Sequence, residues 1–259
     1  MVDIAKKLNV SVATIKRYKA KYGLSVNLEN ARKKNSEAHT KYPCNNTYFD
    51  NIDTMDKAYL LGFICADGFV TDRNEIGIGV AEKDKKIVEF FQQQLQSSKP
   101  IVRKDGKHPS VELRIQNNYL CEQLMKLGVF PNKSLILDIK TIIANAKLSE
   151  KQISAFLLGY FDGDGCISKA HRQIDTKEYF EMNITGTLET IQYFKDYFGH
   201  GCVTKRHNDD KNNYTLQFSN NYSTIYNALS KLYAYRHELT FYFLRKYNLF
   251  AQLELIVKS

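Results

Sequence analysis

Four segments of the chain alternate apolar and polar residues, as strands with one buried face do. The apolar positions are Ile76, Ile78 and Val80; Val111, Leu113 and Ile115; Phe180, Met182 and Ile184; and Tyr214, Leu216 and Phe218. The intervening positions carry mostly polar side chains. The pattern therefore predicts sheets that pack one face against helices and leave the other face to solvent or to a partner.

Two longer apolar segments repeat each other and have the length of helices. The first runs from Ala58 to Gly68 as AYLLGFICADG, and the second runs from Ala155 to Gly165 as AFLLGYFDGDG. Asp53 or Thr54 can cap the first helix, and Ser149 with Gln152 three residues later forms a capping box for the second. Each segment ends in Asp-Gly, and we expect both glycines to adopt a left-handed C-cap conformation.

The similarity continues downstream of each apolar segment. Residues 113–119 read LRIQNNY and residues 216–222 read LQFSNNY, and an apolar-periodic helix follows each. An internal repeat of this length predicts two copies of one structural unit. We therefore predict an α+β fold with two αββαββα repeats, at residues 53–148 and 149–259, with the exact strand count left open.

The N-terminal residues 1–23 have a different pattern. Ile4, Ala5 and Leu8 fit one face of a short helix, Asn9 tolerates the left-handed conformation of a tight turn, and Ser11 can cap a second helix. The second helix would pack through Val12, Ile15 and Tyr18, and the outward residues would be Ser11, Ala13, Thr14, Lys16 and Arg17. This is the helix-turn-helix pattern, although an ordinary helical hairpin with a basic solvated face fits as well. Residues 24–52 have the composition of a linker.

Charge and composition narrow the class of partner. The 259 residues contain 37 Lys plus Arg against 28 Asp plus Glu, a net charge of +9, which suggests a polyanionic partner or else a merely soluble basic protein. No apolar run reaches membrane-spanning length and no signal-peptide stretch is present, so we expect no membrane partner and an intracellular location, in the cytoplasm, nucleoid or an organelle. The five scattered cysteines form no Cys-x-x-Cys pair and the six histidines no metal-ligand spacing, which argues against zinc.

The polar positions of the predicted strands, with nearby cations, suit contact with nucleic acid. Arginine can read guanine, and glutamine can read adenine, at base edges in the major groove. For any single strand, a solvated sheet face explains the same residues. The candidate DNA-binding residues are Lys16, Arg17, Arg73, Arg103, Lys104, Arg114, Gln116, Lys169, Arg172, Lys205, Arg206 and Gln217.

The paired motifs resemble the signature of LAGLIDADG homing endonucleases in their single-chain, two-repeat form, over roughly residues 50–250. The N-terminal segment resembles the small helix-turn-helix segments of phage and bacterial DNA-binding proteins. The resemblance implies that the motif helices pack side by side through Gly62 and Gly159. It also implies that Asp67 and Asp164 are catalytic acids that hold two or more Mg²⁺ ions, with Ala66 and Gly163 beside them in the metal site.

Two positions depart from the family pattern. The motif usually carries a second acid two positions before the catalytic one, and this is Asp162 in the second repeat but Cys65 in the first. The family also often places a lysine near each acid. Lys133 matches this lysine in the first repeat, whereas in the second repeat Arg236, His237 or Lys246 are the candidates, and for each of them a surface cation is the alternative interpretation.

The resemblance predicts a metal-dependent endonuclease that cuts double-stranded DNA. The alternatives on the same scaffold are an intron RNA maturase, which need not keep both acids, and a DNA-binding transcription regulator. Two repeats in one chain predict a monomer. The repeats differ at the predicted base-reading positions, Arg114 against Gln217 and Gln116 against Ser219, and we therefore expect a long and partly asymmetric target.

Overall fold

The computed structural model describes residues 2–23, 42–171, 178–205, 211–218 and 221–259. The chain divides into two units, residues 1–39 and residues 40–259. The predicted DNA-binding residues Arg172 and Arg206 and most of the predicted linker lie outside the described residues. No helix among those described has the length and apolar character needed to cross a membrane.

The N-terminal unit contains two short helices, α1 Val2–Lys7 and α2 Val12–Lys21. Asn9 turns the chain between them in the predicted left-handed conformation, with φ of 50°. Ser11 caps α2 by accepting a hydrogen bond from the Thr14 amide at 3.1 Å, so its hydroxyl is engaged in capping the helix. Of the predicted packing face on α1, Ala5 is buried, whereas Ile4 and Leu8 are exposed.

Each repeat of the second unit follows the predicted αββαββα order and adds one further helix. The first repeat contains α3 Met55–Ala66, β1 Gly68–Val70, β2 Glu75–Ala81, α4 Lys85–Gln94, β3 Val102–Lys104, β4 Ser110–Gln116, α5 Asn118–Leu127 and α6 Ile139–Asn145. The second contains α7 Glu150–Asp164, β5 Gly165–His171, β6 Glu178–Gly186, α8 Leu188–Phe198, β7 Cys202–Lys205, β8 Tyr214–Phe218, α9 Tyr222–Leu232 and α10 Leu244–Lys258. Short 3₁₀ turns span Glu82–Asp84, Lys133–Leu135 and Arg236–Glu238.

The strands form two antiparallel sheets with the same connectivity. The strand order is β1-β2-β4-β3 in the first sheet and β5-β6-β8-β7 in the second. The predicted apolar positions face the core, with Leu113, Ile115, Met182 and Leu216 all buried. The alternation in the sequence therefore identified the buried face of both sheets correctly, because side chains on a strand point to opposite faces in turn.

The described end of the predicted linker is packed and not extended. In residues 42–52, Tyr48, Phe49 and Ile52 are buried in the main core, and the Asn45 amide donates to the Leu95 carbonyl at 2.7 Å. Three buried apolar side chains in a polar segment give too weak a pattern to recognise from sequence. Residues 42–52 therefore belong to the packed unit.

Helices α3 and α7 pack side by side at the centre of this unit, and two glycines set their separation. A Cβ atom at Gly62 would lie 1.9 Å from the Phe156 carbonyl oxygen, and one at Gly159 would lie 2.0 Å from the Tyr59 carbonyl oxygen. Real Cβ atoms do not approach backbone oxygens so closely, so each helix presses its backbone against the other where the side chain is missing. The close approach predicted at these two positions is confirmed.

The glycines that follow the two acids have a different role from the one predicted. Gly165 has φ of −98° and ψ of 157°, and Gly68 is not among the residues with positive φ, so neither is a left-handed cap. Instead each begins a strand directly against the last helical turn. A Cβ at Gly68 would lie 2.6 Å from Ile64 Cα, and one at Gly165 would lie 2.5 Å from the Phe161 carbonyl oxygen.

Candidate active site and nucleic-acid interface

Two acidic residues meet where the paired helices end. Asp67 is the C-cap of α3, with its amide bonded to the Phe63 carbonyl at 2.9 Å, and Asp164 is the last residue of α7. The helix ends touch: a Cβ at Gly163 would lie 2.4 Å from Ala66 Cβ and 3.5 Å from Asp67 Cβ. The packing of the two motif helices thus brings together two carboxylates that are 97 positions apart in the chain.

Both carboxylates have a raised pKa. Limited hydration raises the pKa of Asp164 to about 6, with the negative charge of Asp67 as the second cause and Lys133, Lys246 and the Tyr160 hydroxyl acting in the opposite direction. Limited hydration also raises the pKa of Asp67, against the charges of Lys246 and Lys133. A carboxylate whose pKa is raised by a second carboxylate beside it forms, with that neighbour, a site at which a bound cation is favourable.

A buried lysine lies beside each helix end. The Lys133 ammonium donates to the Ala66 carbonyl at 2.8 Å. The Lys246 ammonium donates to the carbonyls of Phe161 at 2.6 Å, Asp162 at 2.9 Å and Gly165 at 2.6 Å. Their side chains are 7% and 2% exposed, and burial lowers the pKa of both amines, that of Lys246 to about 8. The Ala66 and Asp162 carbonyls are groups that a helix C-terminus leaves without an intrahelical partner, so the two ammonium groups help to complete the helix ends.

Of the three candidates in the second repeat, Lys246 lies at this site. The His237 side chain is 69% exposed beside Glu238, and Arg236 lies over the Tyr247 ring. Neither belongs to the hydrogen-bond network of the α7 end described above.

The second acid of the α7 motif is a packing residue. Asp162 is buried, and its Oδ2 accepts from the Tyr59 hydroxyl at 2.7 Å and from the Phe243 amide at 2.9 Å. Its carboxylate therefore joins α3 to the segment just before α10. Cys65, at the matching position of the first repeat, is also buried.

The donors at the helix ends fit a hard divalent cation. Mg²⁺ usually binds one or two carboxylates and completes its shell with water and substrate phosphate oxygens. Asp67 and Asp164 supply the two carboxylates, and within the part of the chain that the structure describes no cluster of three or more His, Cys, Asp or Glu forms a more complete site. The oxygen-only pair at the helix ends therefore suits Mg²⁺ better than zinc.

The first sheet, whose strand β1 begins at Gly68 directly after Asp67, carries a charged network on its outer face. Arg114 pairs across the strands with Gly77, and its guanidinium lies 4.8 Å from the Phe69 ring centroid. Its Nη1 is 3.1 Å from Glu75 and its Nε 3.3 Å from Glu112. A Cβ at Gly77 would lie 2.4 Å from the Phe69 ring, so this glycine leaves the space into which the ring packs. Arg114 is thus held in place with part of its guanidinium still exposed.

The second sheet presents an uncharged row at the matching place. Gln217 pairs with Asn183 on one side and with Cys202 on the other, and Asn183 pairs with Cys166. Gln217, Cys166 and Cys202 are exposed. Arg114 and Gln217 therefore occupy corresponding places on two sheets of different chemistry, as the sequence predicted.

The other candidate DNA-binding residues are divided among several places. Arg73 and Gln116 are exposed, and Lys104 bonds to Glu112 at 2.9 Å. Arg103, Lys169 and Lys205 pair across the strands with Val111, Phe180 and Tyr214. By strand alternation these three share the core-side face, and Arg103 bonds to Glu82 while Lys169 lies over the Phe180 ring. Lys16 and Arg17 are exposed in the N-terminal unit.

Three residues near the acids were not predicted. The Tyr160 hydroxyl donates to the Thr185 carbonyl at 3.1 Å, and it lies close enough to Asp164 to lower the pKa of that carboxyl. Arg245 forms a bidentate ion pair with Asp84, Nε to Oδ1 at 2.9 Å and Nη2 to Oδ2 at 3.1 Å. The position of Arg245 next to Lys246 was the available signal, but Asp84 lies 161 positions away and its role depends on the tertiary fold.

A family model described as LAGLIDADG endonuclease matches residues 157–251, which is most of the second repeat. No curated protein sequence matches the chain.

Solved structures share the fold at low sequence identity. The meganuclease I-SmaMI, bound to an uncleaved DNA target with calcium ions, aligns at a TM-score of 0.55 and 14% identity, covering 78% of this chain and 91% of its own. I-LtrWI, a LAGLIDADG homing endonuclease bound to target DNA, aligns at a TM-score of 0.55 and 14% identity, and the alignment covers 83% of this chain and 92% of its own. I-GzeII, in complex with its DNA target, aligns at a TM-score of 0.53 and 13% identity, and the alignment covers 78% of this chain and 89% of its own.

Proposed function

This chain belongs to the LAGLIDADG endonuclease family, and we propose that it cuts double-stranded DNA at a long, specific site by metal-assisted hydrolysis of one phosphodiester bond in each strand. The observation that carries the proposal is the meeting of Asp67 and Asp164 at the paired helix ends, with a buried lysine beside each. A helix-end aspartate alone is an ordinary feature. Here two aspartates from repeated units converge, and the charge of Asp67 helps to raise the pKa of Asp164, so the pair provides the acidic half of a metal site.

In the proposed site, Asp67 and Asp164 hold Mg²⁺ from the two sides, with the backbone of Ala66 and Gly163 beside them. The bound ions would supply a water of lowered pKa and stabilise charge on the leaving oxygen. The carboxylates must be ionised to bind the ions, and a pKa of about 6 leaves Asp164 ionised at neutral pH. The ammonium groups of Lys133 and Lys246 lie close enough to lower the pKa of both acids. They would also add positive charge where a phosphate approaches.

The two sheets would contact the DNA on either side of the acids. Arg114 suits guanine and Gln217 suits adenine, so the two halves of the target should differ at the positions that these residues read. Because one chain supplies both acids and both sheets, we propose that it acts as a monomer. Light scattering of the DNA complex would contradict this if it gave two chains per duplex. The N-terminal unit, in which Lys16 and Arg17 are exposed, would add further DNA contacts.

The decisive experiment replaces the acids one at a time. Asp67→Asn and Asp164→Asn should abolish double-strand cleavage, because each carboxylate is half of the metal site, while DNA binding persists or tightens as a negative charge is removed. Asp196→Asn is the matched control, since Asp196 is exposed on α8 and bonds only locally, to Gln192 at 2.7 Å. The target would first be selected from a library of duplexes incubated with Mg²⁺, by sequencing the broken ends.

The outcomes separate the candidate functions. Double-strand cleavage by either acid variant near the wild-type rate would show that the aspartates only end the helices. If the wild-type protein bound duplexes without breaking any, a transcription regulator would be favoured, and tight binding of a structured intron RNA would favour a maturase. The presence of both acids at one place supports the endonuclease, because the other two functions do not require them.

A further inference from the structure

Each lysine of the candidate site is carried by a segment that contacts the opposite repeat. We call residues 133–138, which contain Lys133, the first crossing segment, and residues 239–246, which contain Lys246, the second crossing segment. Both follow the helix that comes after the second pair of strands, α5 in one repeat and α9 in the other.

The second crossing segment is bound to the first repeat along its whole length. Thr240 donates to Asp56 from its amide at 3.0 Å and from its hydroxyl at 2.7 Å. The Phe241 ring stacks on Phe90 with centroids 5.1 Å apart. Arg245 forms two hydrogen bonds with Asp84, and the next residue, Lys246, donates to the carbonyls at the α7 end.

The first crossing segment is bound to the second repeat through its backbone. The Leu137 carbonyl accepts from the Thr187 hydroxyl at 2.5 Å and from the Thr190 hydroxyl at 3.2 Å, and all three residues are buried. The Leu135 carbonyl accepts from the Asn212 side chain at 3.3 Å. The segment that carries Lys133 is therefore fixed by the repeat to which Lys133 does not belong.

Asp84 and Thr187 are equivalent residues of the two repeats. Asp84 is the N-cap of α4 and Thr187 is the N-cap of α8, the second helix of each repeat. An N-cap side chain ordinarily serves its own helix. The Asp84 side chain makes no capping bond and binds Arg245 instead, and Thr187 both caps α8 and holds Leu137. Two different side chains thus perform the same cross-repeat function at one position of the repeat.

We propose that Asp84 and Thr187 are positioning residues: Asp84 fixes Lys246 through Arg245, and Thr187 fixes Lys133 through Leu137, each across the repeat boundary. The lysine roles rest on the proposed function, whereas the cross-repeat anchoring does not. Each half of the site then depends on the correct placement of both repeats. The alternative is that these contacts only add stability to the interface and leave the lysines in place when they are lost.

Amine labelling tests the anchoring without any cleavage assay. Wild-type protein is treated with acetic anhydride under native conditions, and the acetylation rate of each lysine is followed by mass spectrometry. Arg245→Met or Asp84→Ala should raise the labelling rate of Lys246 roughly tenfold or more by local opening, and leave Lys133 protected. Thr187→Val should raise the labelling rate of Lys133 and leave Lys246 protected. Thr187→Ser and Asp84→Glu, which keep the bonding groups, should restore most of the protection.

Two results would overturn the anchoring. One is unchanged protection of Lys246 in both Arg245→Met and Asp84→Ala. The other is an equal gain in labelling at both lysines in every variant, which indicates general loosening of the unit. Because the Arg245 side chain is 49% exposed, its replacement should leave the fold intact even if the buried Thr187→Val variant fails to fold.

Cleavage kinetics then test the positioning of the chemistry. Displacement of a reacting group by about 1 Å can cost roughly 100-fold in rate, so Arg245→Met should slow cutting with little effect on KM. In a Lys246→Met background, Arg245→Met should cause almost no further loss of cleavage rate, because its effect on the rate is exerted through Lys246. Additive losses would refute the positioning role. A wild-type protein that cuts no DNA would refute the proposed function instead, and the labelling result would still decide the anchoring.

Discussion

Gly159→Ala tests the link between helix packing and the acidic site. The new Cβ atom would lie 2.0 Å from the Tyr59 carbonyl oxygen, whereas such contacts are essentially never shorter than 3.0 Å. Helices α3 and α7 must therefore move apart by about 1 Å at this point, since the obstacle is backbone and cannot rotate away. Asp164 follows five residues later, about 7.5 Å along the helix axis, so the displacement should reach the acids.

Two energies compete in this variant. Replacing glycine by alanine inside a helix ordinarily stabilises it by about 1 kcal/mol, whereas overpacking of a tight core costs about 1–3 kcal/mol and sometimes more. A 1 Å overlap with backbone belongs at the upper end of the second range. We therefore expect a net loss of roughly 2 kcal/mol in the free energy of unfolding, and a fall of roughly 100-fold in cleavage rate from misplacement of the acids.

Urea unfolding and single-turnover cleavage would measure the two effects. Gly79→Ala is the matched control for stability, because its Cβ would meet only the Glu112 side chain, at an ordinary 3.5 Å, and Gly79 is not among the residues with positive φ. This control should be as stable as the wild type or more stable by about 0.5–1 kcal/mol. If Gly159→Ala unfolded at the same urea concentration as Gly79→Ala, the close approach of the helices would not be what fixes the site.

Three further predictions follow from the acids and the N-terminal unit. Mg²⁺ affinity measured by calorimetry should rise with pH up to about 6 and level off above it, because protons compete with the metal for Asp164. Without metal, the free energy of unfolding should fall between about pH 4 and pH 6, because the raised pKa makes ionisation of Asp164 costly in the folded state. A flat pH profile in either measurement would contradict this account. Asp162→Ala should lower the free energy of unfolding, measured in urea, by about 2–5 kcal/mol, because the buried Tyr59 hydroxyl and Phe243 amide lose their acceptor. A variant as stable as the wild type would show that these two donors find another acceptor. Deleting residues 1–23 should weaken DNA binding and flatten its dependence on salt, and an unchanged salt slope would exclude a DNA-binding role for this unit.

Local patterns in the sequence were sufficient for much of the fold. Strand alternation identified the buried faces through Leu113 and Met182, and the capping residues placed the starts of α2, α3 and α7 within a residue. The repeat itself fixed the order of elements in both halves and matched Asp67 with Asp164. These features depend on residues close together in the chain, or on the comparison of one segment with another, and both can be read directly from the sequence.

The tertiary structure decided what depends on contacts between distant segments. Lys246 was one of three candidates in the second repeat, with Arg236 and His237, and only the packing of residues 239–246 placed it at the α7 end. Residues 42–52 joined the core through three side chains too sparse to form a pattern. The Asp84–Arg245 pair joins residues 161 positions apart. A pair of this kind leaves no periodicity in either segment, because its geometry exists only after both repeats have folded and packed together.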